Sequence, residues 1–212
     1  MIRAVLWDFG GVILSSPFEA FNHYEHTNGL PADFIRRVNA TEPDANAWAR
    51  LERAELSHDE FDVAFAAEAK ALGHEVPGAD VLALLAGEVR PEMVRALDAV
   101  KAAGYRTACL TNNVVSREDG GRDADARADV DEVMTRFDVV VESSKVGIRK
   151  PEPDFYRRAC ALLDVQPEEC VFLDDLGINL KPARDMGMTT IKVGDPAAAI
   201  AELAQVLGLE LN

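Results

Sequence analysis

The first patterned stretch of the sequence reads IRAVLWDFGG and covers residues 2–11. Residues 2–7 form a short, continuous and mainly apolar run, which is typical of a strand buried on both faces of a parallel sheet. Asp8 follows this run directly, and Gly10 and Gly11 indicate a tight turn after it. These ten residues predict a buried strand that delivers a carboxylate to one edge of a sheet.

Four later segments repeat the pattern of a short apolar run that ends in polar residues. They cover residues 106–110, 138–141, 170–173 and 189–193. Helical patterns that begin at prolines alternate with them, over residues 91–103, 153–163, 182–186 and 196–207. This alternation predicts an α/β fold with a doubly wound parallel sheet, a Rossmann-like core.

Residues 17–87 follow a different pattern, because they contain no strand-like run. Helical stretches are predicted over 18–25, 32–38, 45–54, 57–72 and 80–85. Ser57 and Glu60 have the spacing of a capping box at the start of the fourth stretch. We therefore predict a small helical cap domain over 17–87, inserted into an α/β domain made of residues 1–16 and 88–212.

The 212 residues carry a formal net charge of −15. This charge argues against non-specific binding to nucleic acid or to an anionic membrane, and it leaves open a small phosphate-bearing ligand. No apolar run reaches the roughly 18 residues of a membrane helix. Three cysteines without CxxC spacing indicate buried thiols in a reducing compartment. We expect a complete cytoplasmic protein, a monomer or homodimer, that acts on a small molecule.

An acidic segment over residues 117–132 invites comparison with a calcium-binding loop. An EF-hand loop requires glycine at its sixth position and glutamate at its twelfth. Counted from Asp123, those positions are Ala128 and Met134. We predict a solvated loop that leads into a helix.

Polar residues follow four of the predicted strands, and ligands of open α/β sheets bind beyond the carboxyl ends of strands. These residues are Asp8, Thr111-Asn112, Lys150 and Asp174-Asp175. Three carboxylates at one place repel one another unless a cation lies among them, and oxygen ligands on short loops suit Mg²⁺. A phosphate bound between the metal and Lys150, with the Thr111 hydroxyl as a donor, would leave Asp8 to attack phosphorus.

In chain order these motifs resemble the haloacid dehalogenase-like hydrolase superfamily. The motifs are Asp-x-Gly-Gly at 8–11, Thr-Asn at 111–112, Lys-Pro at 150–151 and Asp-Asp-x-x-x-Asn at 174–179. The helical insert resembles the small helical cap of that superfamily. Residues 48–57 are similar to a cap segment of the branch that includes epoxide-hydrolase N-terminal phosphatase domains and sugar-phosphate phosphatases.

The resemblance implies a role for each matching residue. Asp8 would be the nucleophile, and Thr111 and Lys150 would hold the phosphate as catalytic residues. Asn112 and Gly11 would complete the substrate contacts. The implied Mg²⁺ ligands are Asp8, the Gly10 carbonyl, Asp174 and Asp175, with Asn179 in support.

Gly10 departs from the pattern, because most phosphatases of the superfamily carry a second aspartate there as general acid and base. Such catalysis contributes about 10²–10⁴-fold. His23, Glu25 and His26 are candidates to replace it, as is water. We predict Mg²⁺-dependent hydrolysis of a small phosphate monoester, a sugar phosphate by resemblance, through an aspartyl-phosphate on Asp8. The alternatives are a metal-free haloacid dehalogenase, a catalytically weak phosphate-binding module and, least favoured, a phosphomutase.

Overall fold

The structure, a computed structural model, describes residues 1–113 and 124–211, without the side chains of residues 124–127. Residues 117–123 of the predicted acidic loop lie outside this range. The helix that we expect after this loop begins inside the segment, over Ala124–Met134, so the predicted loop is too long at its C-terminal end. No helix among the described residues is long and apolar enough to cross a membrane.

Five parallel strands of the described residues form one sheet in the order β3-β2-β1-β4-β5. They are β1 (Ala4–Trp7), β2 (Arg106–Thr111), β3 (Val139–Glu142), β4 (Cys170–Asp174) and β5 (Thr189–Lys192). This architecture confirms the predicted doubly wound parallel α/β fold. Because β1 is central and its neighbours are β2 and β4, the chain leaves β1 at Asp8 in the middle of one sheet edge.

The continuous apolar runs arise because the sheet has a hydrophobic core on each face. Val5 and Trp7 point into one core, and Ala4 and Leu6 point into the other. Every residue of β1 and β4 is buried. Burial on both faces of these strands explains why their sequences do not alternate between apolar and polar residues.

Five helices form the segment between β1 and the rest of the α/β fold. They are α1 (Phe18–Thr27), α2 (Phe34–Ala40), α3 (Ala47–Glu52), α4 (His58–Ala71) and α5 (Gly78–Ala83). They enclose a third hydrophobic cluster around Phe21, Phe61 and Phe65. Ser57 caps α4 with the predicted capping box, since Ser57 and Glu60 each bond the other's backbone N–H.

The two connections to this helical segment run side by side. Leu14 pairs with Val89 as an antiparallel bridge. The backbone N–H of Ser15 donates to the Glu88 carbonyl at 2.8 Å, and that of Arg90 donates to the Ile13 carbonyl at 2.8 Å. We propose domain boundaries at 1–16 and 88–212 for the α/β domain and at 17–87 for the helical cap.

Six α-helices of the α/β domain lie among the described residues. They are α6 (Pro91–Ala102), α7 (Ala124–Met134), α8 (Ser143–Val146), α9 (Pro153–Leu163), α10 (Gly177–Asp185) and α11 (Pro196–Leu207). The prediction that a helix starts at Pro182 is wrong, because α10 begins at Gly177 and contains Pro182. The carbonyl of Ile178 loses its helical partner to this proline, and Ile178 lies on the exposed side of the helix, where water can replace it.

The cap core yields a test of its packing on helix α4. Phe65 is fully buried, whereas Val63 on the same helix is 71% exposed. We expect Phe65→Ala to lower the free energy of unfolding by about 3–5 kcal/mol because it leaves a cavity. Val63→Ala is the matched control and should change it by less than about 0.5 kcal/mol. Urea denaturation followed by circular dichroism measures both, and equal losses would contradict the assigned cap core.

Candidate active site

Three carboxylates meet at the carboxyl edge of the sheet. Asp8 follows β1, Asp174 ends β4 and Asp175 comes next in the chain. One carboxylate oxygen from each lies within 4.8 Å of the others. Their proximity follows from strand register, because Trp7 pairs with Leu173 and the Asp8 N–H donates to the Leu173 carbonyl at 2.8 Å.

Lys150 lies between two of these carboxylates. Its Nζ is 2.7 Å from Asp8 Oδ1 and 2.8 Å from Asp174 Oδ2, and the side chain is 1% exposed. Burial alone would lower the pKa of Lys150, but the adjacent Asp174 and Asp8 outweigh it and raise that pKa. The ammonium therefore stays protonated at neutral pH and offsets part of the negative charge.

Asp8 is held by two donors on the same oxygen. The Phe9 N–H donates to Oδ1 at 2.6 Å, and Lys150 binds the same atom. Burial raises the pKa of Asp8 well above its ordinary value, Lys150 opposes the shift, and Asp174 and Asp175 add to it. Three carboxylates facing one ammonium leave an excess of negative charge, which a cation would neutralise.

Asp174 has the most complete set of hydrogen bonds in the cluster. Asn179 on α10 places its Nδ2 at 3.1 Å from both carboxylate oxygens. The Leu176 N–H donates to Oδ1 at 2.8 Å, and Lys150 binds Oδ2. These donors fix the orientation of a carboxylate that is fully buried.

Asp175 lies against the glycine turn that follows Asp8. A Cβ added at Gly11 would lie 2.2 Å from Asp175 Oδ2, and Gly11 has φ +76°, so only glycine fits there. Arg90 donates from Nη1 to the Gly11 carbonyl at 2.8 Å. Burial and Asp174 raise the pKa of Asp175 to about 6, against the opposing influence of Lys150 and Arg90.

Gly10 differs from its neighbour Gly11. It is exposed, it has φ −69° and ψ 132°, and a Cβ built on it meets no atom within 4 Å. An L-amino acid side chain fits at this position without strain. Where most phosphatases of the superfamily carry an aspartate side chain, this structure therefore has open space beside the carboxylate cluster.

Thr111 and Asn112 follow at the end of β2. Thr111 is buried as the last residue of the strand. Asn112, predicted to contact substrate, uses its amide on the backbone of Lys150: Oδ1 accepts from the Lys150 N–H at 2.8 Å, and Nδ2 donates to the Lys150 carbonyl at 2.9 Å. The Asn112 side chain thus positions Lys150, and its backbone is the part left for a ligand.

Two further charged residues adjoin the site and were missed by the sequence analysis. Glu52, at the end of α3, bonds Arg149 Nε through Oε2 at 2.5 Å. Asn112 Nδ2 lies 3.3 Å from the same oxygen, and Trp48 Nε1 donates to Oε1 at 2.9 Å. Burial raises the pKa of Glu52 while Arg149 opposes the shift. The only available sequence signal was that Arg149 precedes Lys150 and that Glu52 lies in the cap segment 48–57.

The residues suggested as replacements for an acid at Gly10 lie on helix α1. Glu25 is buried and accepts the backbone N–H groups of Asp33 and Ile35, each at 2.8 Å, so it fastens the start of α2. His23 and His26 are exposed. Both carboxylate oxygens of Glu25 therefore bind backbone groups of the cap, which does not favour Glu25 as the acid that replaces the side chain missing at Gly10.

The acidic cluster fits the predicted magnesium ion in its donor chemistry. All three side chains offer carboxylate oxygens, which Mg²⁺ prefers over nitrogen or sulfur ligands. Asp174 and Asp8 are buried, and Asp175 is half-buried. Burial is the main cause of the raised pKa of Asp8, and a divalent cation at Asp8, Asp174 and Asp175 would oppose the further rise that the two neighbouring carboxylates cause.

The chain belongs to the haloacid dehalogenase-like hydrolases. The profile of that family matches residues 2–187. The mouse acyl-CoA dehydrogenase family member 10 is 35% identical over 99% of this chain and 20% of its own length. The mouse bifunctional epoxide hydrolase 2 is 34% identical over 99% of this chain and 39% of its own length. The chain therefore spans well under half the length of these two relatives.

A relative of similar length is a sesquiterpene phosphatase of Aspergillus oryzae, which is 25% identical over 97% of both chains. Two solved structures share the fold. One is a family enzyme of Bacteroides thetaiotaomicron in complex with magnesium and inorganic phosphate, with TM-score 0.60, 19% identity and coverage of 92% of this chain and 96% of that one. The other is the L-2-haloacid dehalogenase of Xanthobacter autotrophicus, with TM-score 0.61, 19% identity and coverage of 100% and 85%.

The burial of Asp175 beside Asp174 predicts an unusual pH dependence of the free energy of unfolding when metal is removed. The folded pKa of Asp175 is about 6, above the roughly 3.9 of an unfolded aspartate. Between these pH values the folded protein binds more protons than the unfolded chain. The contribution of Asp175 to the free energy of unfolding is therefore present at low pH and is lost as pH rises through about 6. In EDTA we expect the free energy of unfolding to rise by about 1–2 kcal/mol, and the melting temperature by about 3–6 °C, when the pH is lowered from 7 to 5.

Differential scanning calorimetry measures this dependence. Mg²⁺ should suppress the gain, because metal binding requires ionised carboxylates. Asp175→Asn should also reduce it, since it removes one of the titrating groups. A melting temperature that falls from pH 7 to pH 5 in EDTA would contradict the prediction.

Proposed function

We propose that this chain is a Mg²⁺-dependent phosphatase that hydrolyses a small phosphate monoester through an aspartyl-phosphate on Asp8. The observation that carries the proposal is the grouping of Asp8 with Lys150, Asp174 and Asp175. Lys150 offers a buried ammonium 2.7 Å from the nucleophile, and the two further carboxylates suit a hard cation. The sesquiterpene phosphatase, which the chain matches along nearly its whole length, supports the same reaction class.

The carboxylate of Asp8 performs the first displacement in this proposal. Both of its described donors, the Phe9 N–H and Lys150, contact Oδ1, so Oδ2 is the oxygen left for attack on phosphorus. The new bond joins Oδ2 to phosphorus as the ester oxygen departs with the electron pair of the broken P–O bond. Water then attacks the aspartyl-phosphate, inorganic phosphate leaves, and the Asp8 carboxylate is regenerated.

In this proposal Lys150 and the neighbouring backbone stabilise the negative charge of the phosphate. The ammonium of Lys150 would bind a phosphoryl oxygen, and the Thr111 hydroxyl and the Gly11 N–H are the further donors that we assign to the phosphate. Asp174 and Asp175, with Asp8 and the Gly10 carbonyl, would hold the magnesium ion. When bound, the ion supplies positive charge that lowers the repulsion between the Asp8 carboxylate and the phosphate dianion.

Proton supply to the leaving oxygen is the weak step of this site. Gly10 has no side chain, and its surroundings are open to solvent. In the proposed reaction water protonates the departing oxygen. Esters with acidic leaving groups, such as aryl phosphates, then react faster than alkyl phosphates.

The carboxylates at Asp174 and Asp175 favour the phosphatase over a dehalogenase. A metal-free attack of Asp8 on carbon does not call for two further acids beside the nucleophile, where they disfavour its ionised form. We propose only a class of substrate, a small phosphate monoester. The names of the relatives span an epoxide hydrolase and a sesquiterpene phosphatase and do not agree on one compound.

Phosphate release from p-nitrophenyl phosphate and a panel of alkyl and sugar phosphates tests the proposal. We expect turnover with Mg²⁺, loss of turnover in EDTA, and a fall of at least about 10³-fold in Asp8→Asn, which lacks the nucleophile. A Glu55→Gln variant serves as the control, because Glu55 is exposed and pairs with Arg53 within the cap. Halide release from 2-haloacids in EDTA, with no phosphate released from any ester, would sink the proposal.

The open space at Gly10 permits a gain-of-function test. Gly10→Asp should raise kcat on alkyl phosphates, within the about 10²–10⁴-fold range of general acid–base catalysis, because it supplies the missing proton donor. It should leave p-nitrophenyl phosphate little changed, since that leaving group needs no proton. Gly10→Asn is the matched control of similar size without a titrating group. An equal effect of both variants on alkyl esters would show that proton supply is not the limiting feature.

A further inference from the structure

Among the described residues, two ion pairs join the cap to the α/β domain, one with its acid on the cap and one with its base on the cap. Glu52 of the cap binds Arg149 of the α/β domain, and Arg53 of the cap lies 3.9 Å from Glu152. Adjacent residues on α3 and its end thus face the loop that contains Lys150. Arg149 also donates from Nη1 to the Pro43 carbonyl of the cap at 3.0 Å.

The first of these pairs is buried and the second is not. The side chains of Glu52 and Arg149 are 7% and 13% exposed, whereas Glu152 is 41% exposed. An exposed pair contributes little, but removing one member of a buried pair leaves an unpaired charge out of water. The Glu52–Arg149 contact is therefore the stronger of the two ionic connections between cap and sheet.

This contact reaches Lys150 along two short routes. One is covalent, because Arg149 immediately precedes Lys150. The other passes through Asn112, whose Nδ2 lies 3.3 Å from Glu52 Oε2 and whose amide binds both the N–H and the carbonyl of Lys150. Glu52 thus contacts Arg149, the residue before Lys150, and Asn112, the side chain that binds the Lys150 backbone.

We propose that Glu52 is a positioning residue, which places Lys150 through Arg149 and Asn112 and so couples the position of the cap helix α3 to phosphate binding at Lys150. This inference rests on the proposed function, since it assigns phosphate to Lys150. Glu52 itself contacts no reacting atom in this scheme. Its loss would displace the ammonium from Asp8 and phosphorus without removing any catalytic group.

Trp48 provides a spectroscopic reporter for the coupling. Its indole donates to Glu52 Oε1 at 2.9 Å, and the chain contains only one other tryptophan, Trp7. We expect inorganic phosphate, added with Mg²⁺, to change the tryptophan fluorescence of the full chain. The change should vanish in Trp48→Phe, which would show that it arises at Trp48, the hydrogen-bond partner of Glu52, rather than at Trp7.

Variants of the pair provide the kinetic test. Glu52→Gln and Arg149→Gln should each lower kcat for p-nitrophenyl phosphate by about tenfold and leave KM within about threefold, because Lys150 remains present but is misplaced. The double variant should lose no more kcat than the more impaired of the two single variants. Glu52→Asp, which keeps the charge, should recover part of kcat, and Glu55→Gln on the same segment should match the wild type.

The possible results separate the two hypotheses. Additive losses, or a Glu52→Gln variant with normal kcat and a normal Trp48 response, would overturn the coupling and leave the phosphatase proposal standing. Phosphate binding by calorimetry with a Trp48 response but no ester hydrolysis would overturn the phosphatase proposal alone. If Glu52→Gln fails to fold by circular dichroism, the wild-type response decides: phosphate binding that leaves Trp48 fluorescence unchanged would overturn the coupling. No phosphate binding at all would overturn both.

Discussion

The arrangement of this molecule depends on one buried ammonium, that of Lys150. It lies 2.7 Å from Asp8 and 2.8 Å from Asp174, and it is 1% exposed. An ion removed from water costs several kcal/mol unless charged partners surround it, so Lys150 requires both carboxylates and they require Lys150. Because the two acids end neighbouring parallel strands, this mutual requirement draws the loop after β3 against the ends of β1 and β4.

The same contact leaves the site unbalanced, because one ammonium faces three carboxylates. Burial raises the pKa values of Asp8 and Asp175, and the neighbouring carboxylates add to the rise, so the ionised forms of both groups oppose folding. The surrounding structure offsets that cost locally. Asn179 and the Leu176 N–H bind Asp174, and Gly11 allows Asp175 to approach the backbone. Functional sites commonly retain such unfavourable charge where a cation is bound during activity.

Much of this arrangement was predictable from the sequence, because the carboxyl ends of parallel strands share one edge. The positions of Asp8, Thr111 and Asp174 follow from that rule alone. Lys150 was predicted from its place downstream of the predicted strand that ends at Val141, and the family resemblance added its role as a phosphate ligand. Glu52 and Arg149 were not predictable, because their pairing joins the cap to the sheet and has no periodic signal. The predicted start of α10 at Pro182 was wrong, because a helix tolerates an internal proline where solvent can bind the freed carbonyl.

The Leu14–Val89 bridge has a consequence for how the chain can vary. The helical segment leaves and re-enters the α/β domain at two adjacent chain segments, which are joined by the backbone hydrogen bonds from Ser15 to Glu88 and from Arg90 to Ile13. Neither β1 nor α6 needs to move if the intervening sequence changes in length or composition, because both are anchored outside the bridge. Insertions between such adjacent ends are well tolerated. The sequence between residues 17 and 87 can thus vary while the carboxylate cluster keeps its geometry, provided that Glu52 still pairs with Arg149.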